Sequence, residues 1–170
     1  MQGLILPYQN KIPQIGKDVF LAPGSYVIGD VMLGSESSVW FNTIIRGDVQ
    51  SIRIGRRTNI QDNSTVHVTA GTGATVIGDD VTIGHRCIVH ACEIESQCLI
   101  GMGSILLDGS KIPSLSFVGA GSMVTPGKTF LNKMMIMGSP AKAVRSLSDQ
   151  ELDFITKSAR DYVVTASNYC

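Results

Sequence analysis

The chain has 170 residues, and its 14 Lys plus Arg are balanced by 14 Asp plus Glu. That length supports one packed domain, and a net charge of zero leaves no electrostatic footprint for nucleic acid or for an anionic membrane. Only 16% of residues are charged, so part of the surface is expected to be covered, most simply by further copies of the chain.

Met1 to Lys11 lacks the basic-then-apolar pattern of a secretion signal. No apolar run reaches the length of a membrane span, and the expected location is the cytoplasm. From Leu21 an aliphatic residue recurs every six positions: Leu21, Val27, Leu33, Val39, Ile45. The series resumes at Ile54, Ile60, Val66, again at Ile77, Ile83, Val89, and runs on through Ile94, Ile100, Leu106, Ile112, Val118, Val124. The next position is often glycine (Gly34, Gly55, Gly78, Gly84, Gly101, Gly119), and the fourth is usually small, as at Ser25, Ser37, Thr58, Cys87, Ser104 and Ser122. A helix would scatter a period of six around its circumference. Short strands separated by tight turns and stacked as a parallel β-helix fit it, with one aliphatic side chain per strand pointing inward. Glycine is expected where a turn needs backbone freedom or close approach.

Three breaks interrupt the period. Nine steps separate Ile45 from Ile54, eleven separate Val66 from Ile77, and five separate Val89 from Ile94. The second break holds the stretch Thr69 to Thr75, expected to protrude as a loop. All three breaks flank the only histidines, His67, His85 and His90. Three imidazoles with an open fourth position are the ligand set of a catalytic zinc site. His67 and His90 each follow an inward valine and share a phase, whereas His85 lies two after Ile83. A turn between His85 and His90 makes them diverge. One subunit can therefore hardly converge all three, but a threefold ring can, with His67 and His90 from one chain and His85 from its neighbour.

After Val124 the period stops at Thr125-Pro126-Gly127-Lys128. A connecting stretch contains Gly138-Ser139-Pro140-Ala141-Lys142. Ser148 and Glu151 then form a capping-box signature. Leu152, Ile155, Ala159, Tyr162, Val163 and Ala166 follow at helical spacing, predicting a helix from about 148 to 167 packed on the outside of the β-helix. The organisation expected is a β-helix with its connecting segment over 1–147 and a packed helical segment over 148–170, in one domain. Cys87, Cys92, Cys98 and Cys170 have no metal-ligand spacing and are expected as small buried thiols.

Arg46-Gly47-Asp48, Asn59-Ile60-Gln61-Asp62 and the three histidines, set in this repeat, resemble the gamma-class carbonic anhydrase family, and in particular its small bacterial carbonic-anhydrase-like branch. The resemblance runs from about Tyr8 to the C-terminal helix. It implies an all-β fold, a left-handed parallel β-helix of hexapeptide repeats with a C-terminal α-helix, assembled as a homotrimer. It implies a metal held by His67, His85 and His90 at each subunit interface, Zn2+ by default, with Fe2+ or Co2+ also suited to imidazole. The implied reaction is reversible hydration of CO2 to bicarbonate by a metal-bound hydroxide. Gln61 matches the glutamine that orients hydroxide or substrate, and Asp62 fixes local geometry. Arg46 and Asp48 match a pair that bridges subunits. Asn59 is a pocket candidate, and Tyr162 resembles a tyrosine that reaches the site from the helix.

Two departures bear on rate. Val49 stands where the family carries a glutamate after Arg-Gly-Asp, and Val68 to Val76 lacks the acidic loop residue that shuttles the proton. Hydration releases a proton that must leave, so turnover is expected to be weak. The alternatives are a hexapeptide acyltransferase or metal-dependent thioesterase acting on acyl-CoA, and a non-enzymatic trimeric assembly protein with a vestigial metal site.

Overall fold

In a computed structural model the chain is described over residues 2–71 and 73–169. The repeat folds into a parallel β-helix of about seven turns, followed by one helix. Each coil is a triangle of three short strands. The first face stacks the opening parts of Tyr26–Leu33 and Ile44–Ile54 on Thr65–His67, Ile88–His90, Ile105–Leu106 and Met123–Val124. The second face stacks the closing parts of those two long strands on Thr75–Ile77, Glu93–Ile94 and Lys111–Ile112. The third face runs from Phe20–Leu21 through Ser38–Val39, Asn59–Ile60, Thr82–Ile83, Leu99–Ile100 and Phe117–Val118 to Met134–Gly138.

Register follows directly from the inward aliphatics, each stacked on the one a coil away: Ile60 on Ile83, Ile83 on Ile100, Ile100 on Val118. Every member of the six-residue series is buried, none more than 6% exposed, and each such side chain is worth about 1.5–3 kcal/mol against exposure. The corners also hold together through hydrogen bonds. At several coils the small residue in the fourth position sits inside the corner and donates to a carbonyl of the next coil: Ser37 Oγ to Gly55 O at 2.8 Å, Thr58 Oγ1 to Gly78 O at 2.8 Å, Cys87 Sγ to Gly101 O at 3.2 Å. This pairing explains why the position is small and polar, since a buried backbone carbonyl needs a donor.

The glycines answer the choice that the sequence left open. A Cβ at Gly101 would stand 2.5 Å from Ala120 N, in the adjacent coil; close approach is the reason for glycine there. The left-handed backbone falls two residues later in the coil, and it is often carried by other residues: Glu36, Asn42, Arg57, Asn63, Asp80 and Arg86 all have positive φ.

The three breaks in the period share one place. Ile45 to Ile54, Val66 to Ile77 and Val89 to Ile94 all cross the corner between the first and second faces. The other two corners keep six residues wherever the inward series crosses them. The segment inserted at the second break is closed by a Thr69–Gly73 backbone pair, with Ala70 and Gly71 exposed.

The stretch Gly138-Ser139-Pro140-Ala141-Lys142 forms the turn of an antiparallel hairpin, Met134–Gly138 with Ala141–Ser146, that ends the third face. The helix spans Asp149–Ser167, capped as expected by Ser148 and Glu151. Ile155, Ala159 and Ala166 are buried against the third face, while Leu152, Tyr162 and Val163 are part-buried. Its C-terminal half closes on Trp40, whose indole meets Tyr162 edge-on at 5.4 Å and Phe20 at 5.2 Å. Cys87, Cys92 and Cys98 are buried free thiols, pushed by burial up to about 11, 12 and 12; Cys170 lies outside the described residues.

Glu151 also accepts from Arg145 at 2.7 Å, and with the Ser148 N–H this holds its carboxyl down at about 2. A depressed carboxylate stabilises the fold above its ordinary value of 4.5 and loses that contribution as pH falls through about 2. Glu151→Gln is therefore expected to melt below wild type near neutrality. The gap should narrow between pH 4.5 and pH 2, as read by helix circular dichroism. A gap that stays constant over that range would exclude the charge as its source.

Candidate metal centre

Two of the three histidines meet. Val66 stacks on Val89, so His67 and His90 stack at the long corner between the first and second faces. Their rings are 5.2 Å apart between centroids, and His67 Nδ1 lies 3.2 Å from His90 Nε2. Each ring has a carboxylate on its other nitrogen. His67 Nε2 is 3.0 Å from Asp48 Oδ1, and His90 Nδ1 is 2.7 Å from Asp108 Oδ1. An ionised carboxylate only accepts, so those two nitrogens carry the protons. With both rings neutral, the facing nitrogens His67 Nδ1 and His90 Nε2 present lone pairs to one another. Two acceptors at that distance repel unless a proton or a cation lies between them.

His85 sits elsewhere. It lies in the turn from the third face to the first, so the Ile88–His90 strand is bracketed by His85 before it and His90 at its end. Ile60 stacks on Ile83, which puts Asp62 beside His85, and His85 Nδ1 is 2.6 Å from Asp62 Oδ2. Asp62 Oδ1 also accepts from the Phe41 N–H at 3.2 Å. A neutral His85 bonded in this way keeps its lone pair on Nε2. Among the described residues, no group of three or more His, Cys, Asp or Glu side chains is arranged to hold a metal ion within one chain.

The remaining candidates divide between the two corners. Arg46 pairs with Asp48 of its own chain. Burial opposes ionisation of Asp48, but hydrogen bonds with His67 and Arg46 outweigh it and keep the carboxyl below its ordinary range. Gln61, His85 and Tyr162 line one groove of about 370 Å³ between the helix and the third face, with Leu99, Met102 and Phe117 as its apolar wall. Asn59 is buried beneath it: its Oδ1 accepts from Gln61 Nε2 at 3.2 Å, and its Nδ2 donates to Thr82 Oγ1 at 2.9 Å. Thr82 in turn meets Ser158 Oγ of the helix at 3.1 Å. Asn59 is thus a support for Gln61 and a tie to the helix. Burial, with the Asp62 charge adding to it, raises the Tyr162 phenol above its ordinary value.

Sequence reasoning missed Asp108, Thr69 and Thr75. Thr69 Oγ1 bonds the second oxygen of Asp108, and Thr75 Oγ1 donates to His67 O at 2.6 Å. Asp108 lies 18 residues after His90, one more than the 17-residue coil that stacks Val89 on Leu106, so no periodic spacing in the sequence marks it.

No family model matches the chain. A carbonic anhydrase of Geobacillus kaustophilus is 43% identical over 166 residues, spanning 98% of this chain and 91% of that protein. The chain belongs to the gamma carbonic anhydrase family. The mitochondrial gamma carbonic anhydrase 2 of Arabidopsis thaliana is also 43% identical, over 91% of this chain, but the chain spans only 57% of that protein's length. A hexapeptide transferase family protein from Anaplasma phagocytophilum has a TM-score of 0.95 at 39% identity, with both chains covered fully.

Gamma carbonic anhydrase relatives imply a metal cofactor, and the residues present fit one. Two nitrogens 3.2 Å apart would suit a shared ion at metal–nitrogen distances of about 2.0–2.1 Å. The carboxylate on each imidazole is the outer support that metal-bound histidines need, fixing tautomer and ring orientation. No helix is long and apolar enough to cross a membrane among the described residues.

Proposed function

We propose that this gamma carbonic anhydrase relative is a metal-dependent enzyme that hydrates CO2 reversibly to bicarbonate. In this reading it is a homotrimer whose metal, Zn2+ by default, is held by His67 and His90 of one chain and His85 of the partner subunit. The observation that carries the reading is the approach of His67 Nδ1 and His90 Nε2 to 3.2 Å, with a carboxylate on the far nitrogen of each ring. The first face supplies the reason for a partner. Its outward positions include Ile44 and Ile88, 39% and 42% exposed, and the histidine corners flank it on either side. A copy covering that apolar face would bring its own His85 corner toward a neighbour's His67–His90 corner.

A cation held there would supply Lewis acidity to the reacting oxygen. The chain's own residues then have defined tasks. Asp48, Asp62 and Asp108 hold the imidazoles in the tautomers that leave one nitrogen of each free. Gln61, fixed by Asn59, presents its amide beside His85 to orient the reacting oxygen. The wall formed by Leu99, Met102 and Phe117 gives an apolar substrate a dry approach. The proton has no acidic residue in Val68 to Val76 to receive it, so proton export limits turnover.

Metal analysis with native mass and stopped-flow CO2 hydration tests the reading together. The expected results are bound metal, a mass three times the 18.2 kDa chain, and measurable hydration. A metal-free monomer that still folds would end it. The apolar groove also favours a second reading, metal-dependent cleavage of an acyl thioester whose acyl group lies along Phe117 and Met102. Thioester hydrolysis without CO2 hydration would select that reading. Ala70→Glu, in the exposed part of the loop, is expected to raise hydration turnover toward the roughly 10²-fold that a positioned acid–base group contributes, with KM little changed. An unchanged turnover in metal-replete enzyme would mean that proton export does not limit it.

A further inference from the structure

The carboxylate beside His90 is held from the inserted segment, whereas those beside His67 and His85 are held by Arg46 and by the Phe41 N–H. His90 Nδ1 meets Asp108 Oδ1 at 2.7 Å, while the other oxygen of the same carboxylate is taken by Thr69 Oγ1. Thr69 is 39 residues away from Asp108 in sequence and belongs to the segment inserted at this corner. Asp108 is itself pinned from both sides. Gly109 N donates to Ala91 O at 2.7 Å, and Gly127 N donates to Asp108 O at 2.8 Å. These bonds fix the main chain at Asp108, and Thr69 and His90 hold its carboxylate. Its ordinary acidity is strengthened, first by the Thr69 hydroxyl and then by His90.

We infer that Asp108 and Thr69 form a positioning clamp for His90, which fixes its proton on Nδ1 and so delivers the Nε2 lone pair to the cation site while locking the inserted loop to that ligand. The inference rests on the metal-site reading above. Asp108 is a positioning residue, since it acts on the ion only through His90. The clamp also gives the loop a task once its acidic residue is absent: Thr69 orients a ligand's support instead of carrying a proton. Removing an outer support of this kind typically costs about 10–100-fold in metal affinity.

The test uses the full-length protein stripped of metal, with Co2+ as the probe. Chelator competition gives the affinity, and 15N shifts of the metal-free protein give the His90 tautomer. Asp108→Ala is expected to weaken Co2+ binding about 10–100-fold and to turn the single Nδ1–H tautomer into a mixture. Asp108→Asn, which keeps a carbonyl acceptor, should restore the tautomer and most of the affinity. Thr69→Val should keep the tautomer and lose a few-fold in affinity. An unchanged affinity in Asp108→Ala overturns the clamp. A lost affinity with an unchanged tautomer overturns it as well, because Asp108 would then act by charge alone. If Asp108→Ala fails to fold, Asp108→Asn and Thr69→Val carry the decision: an equal, large loss in both overturns the clamp. Wild-type protein that takes up no Co2+ defeats the metal reading itself, and the tautomer measurement still judges the Asp108–His90 bond.

Discussion

His85→Ala is expected to release bound metal and abolish hydration while the chain stays folded. Removal of a direct ligand should cost more than the loss of an outer support, so a fall in metal affinity of at least about 100-fold is expected. The fold should survive because the His85 side chain is 38% exposed and its ring bonds Asp62 at the surface; substitutions of that kind usually stay within about 0.5 kcal/mol. The pairing of His67 with His90 is built within one chain and should be unaffected. Metal content and thermal melting of the same preparation decide the matter. Wild-type metal content in His85→Ala would mean that the two stacked histidines hold the ion without help from a second subunit, and the shared site would be wrong.

Gly101→Ala is expected to destabilise the fold by about 3 kcal/mol, the upper end of the usual range for overpacking. The added methyl would meet backbone, Ala120 N at 2.5 Å and Ala120 Cα at 2.8 Å, and backbone cannot step aside as a flexible side chain can. The displaced strand, Leu99–Ile100, also walls the groove beside His85. Gly121→Ala provides the contrast. It has open space for a methyl but a left-handed φ of +68°, so its cost is conformational alone and should be smaller, about 1 kcal/mol. Urea unfolding of the two variants separates close approach from backbone freedom. Equal losses would return the glycines to a turn role.

Much of this was legible because a β-helix converts sequence period directly into space. The aliphatic at each sixth position is the core, and Ser148 with Glu151 marks the start of the helix. The divergence of His85 from His67 and His90 could be read from phase alone. What the period could not supply was contact between coils. Asp108 and Thr69 meet His90 only after the coil length is known, and that length varies at the corner where they lie. Within the chain Arg46 pairs with Asp48, a contact that the repeat does not specify. The reason for glycine after the aliphatic stayed open because both explanations predict the same residue. Backbone coordinates separate them by showing positive φ two residues further on, at Asn42 and Arg86 among others.

Every change in coil length occurs along a single edge of the prism, the one that carries His67 and His90. Two seams of unvarying pitch keep successive layers aligned, so the third is free to gain or lose residues without shifting any layer beneath it. New chemistry can therefore be installed by respelling that edge alone, and a segment transplanted there from another hexapeptide protein should leave the stack above and below undisturbed.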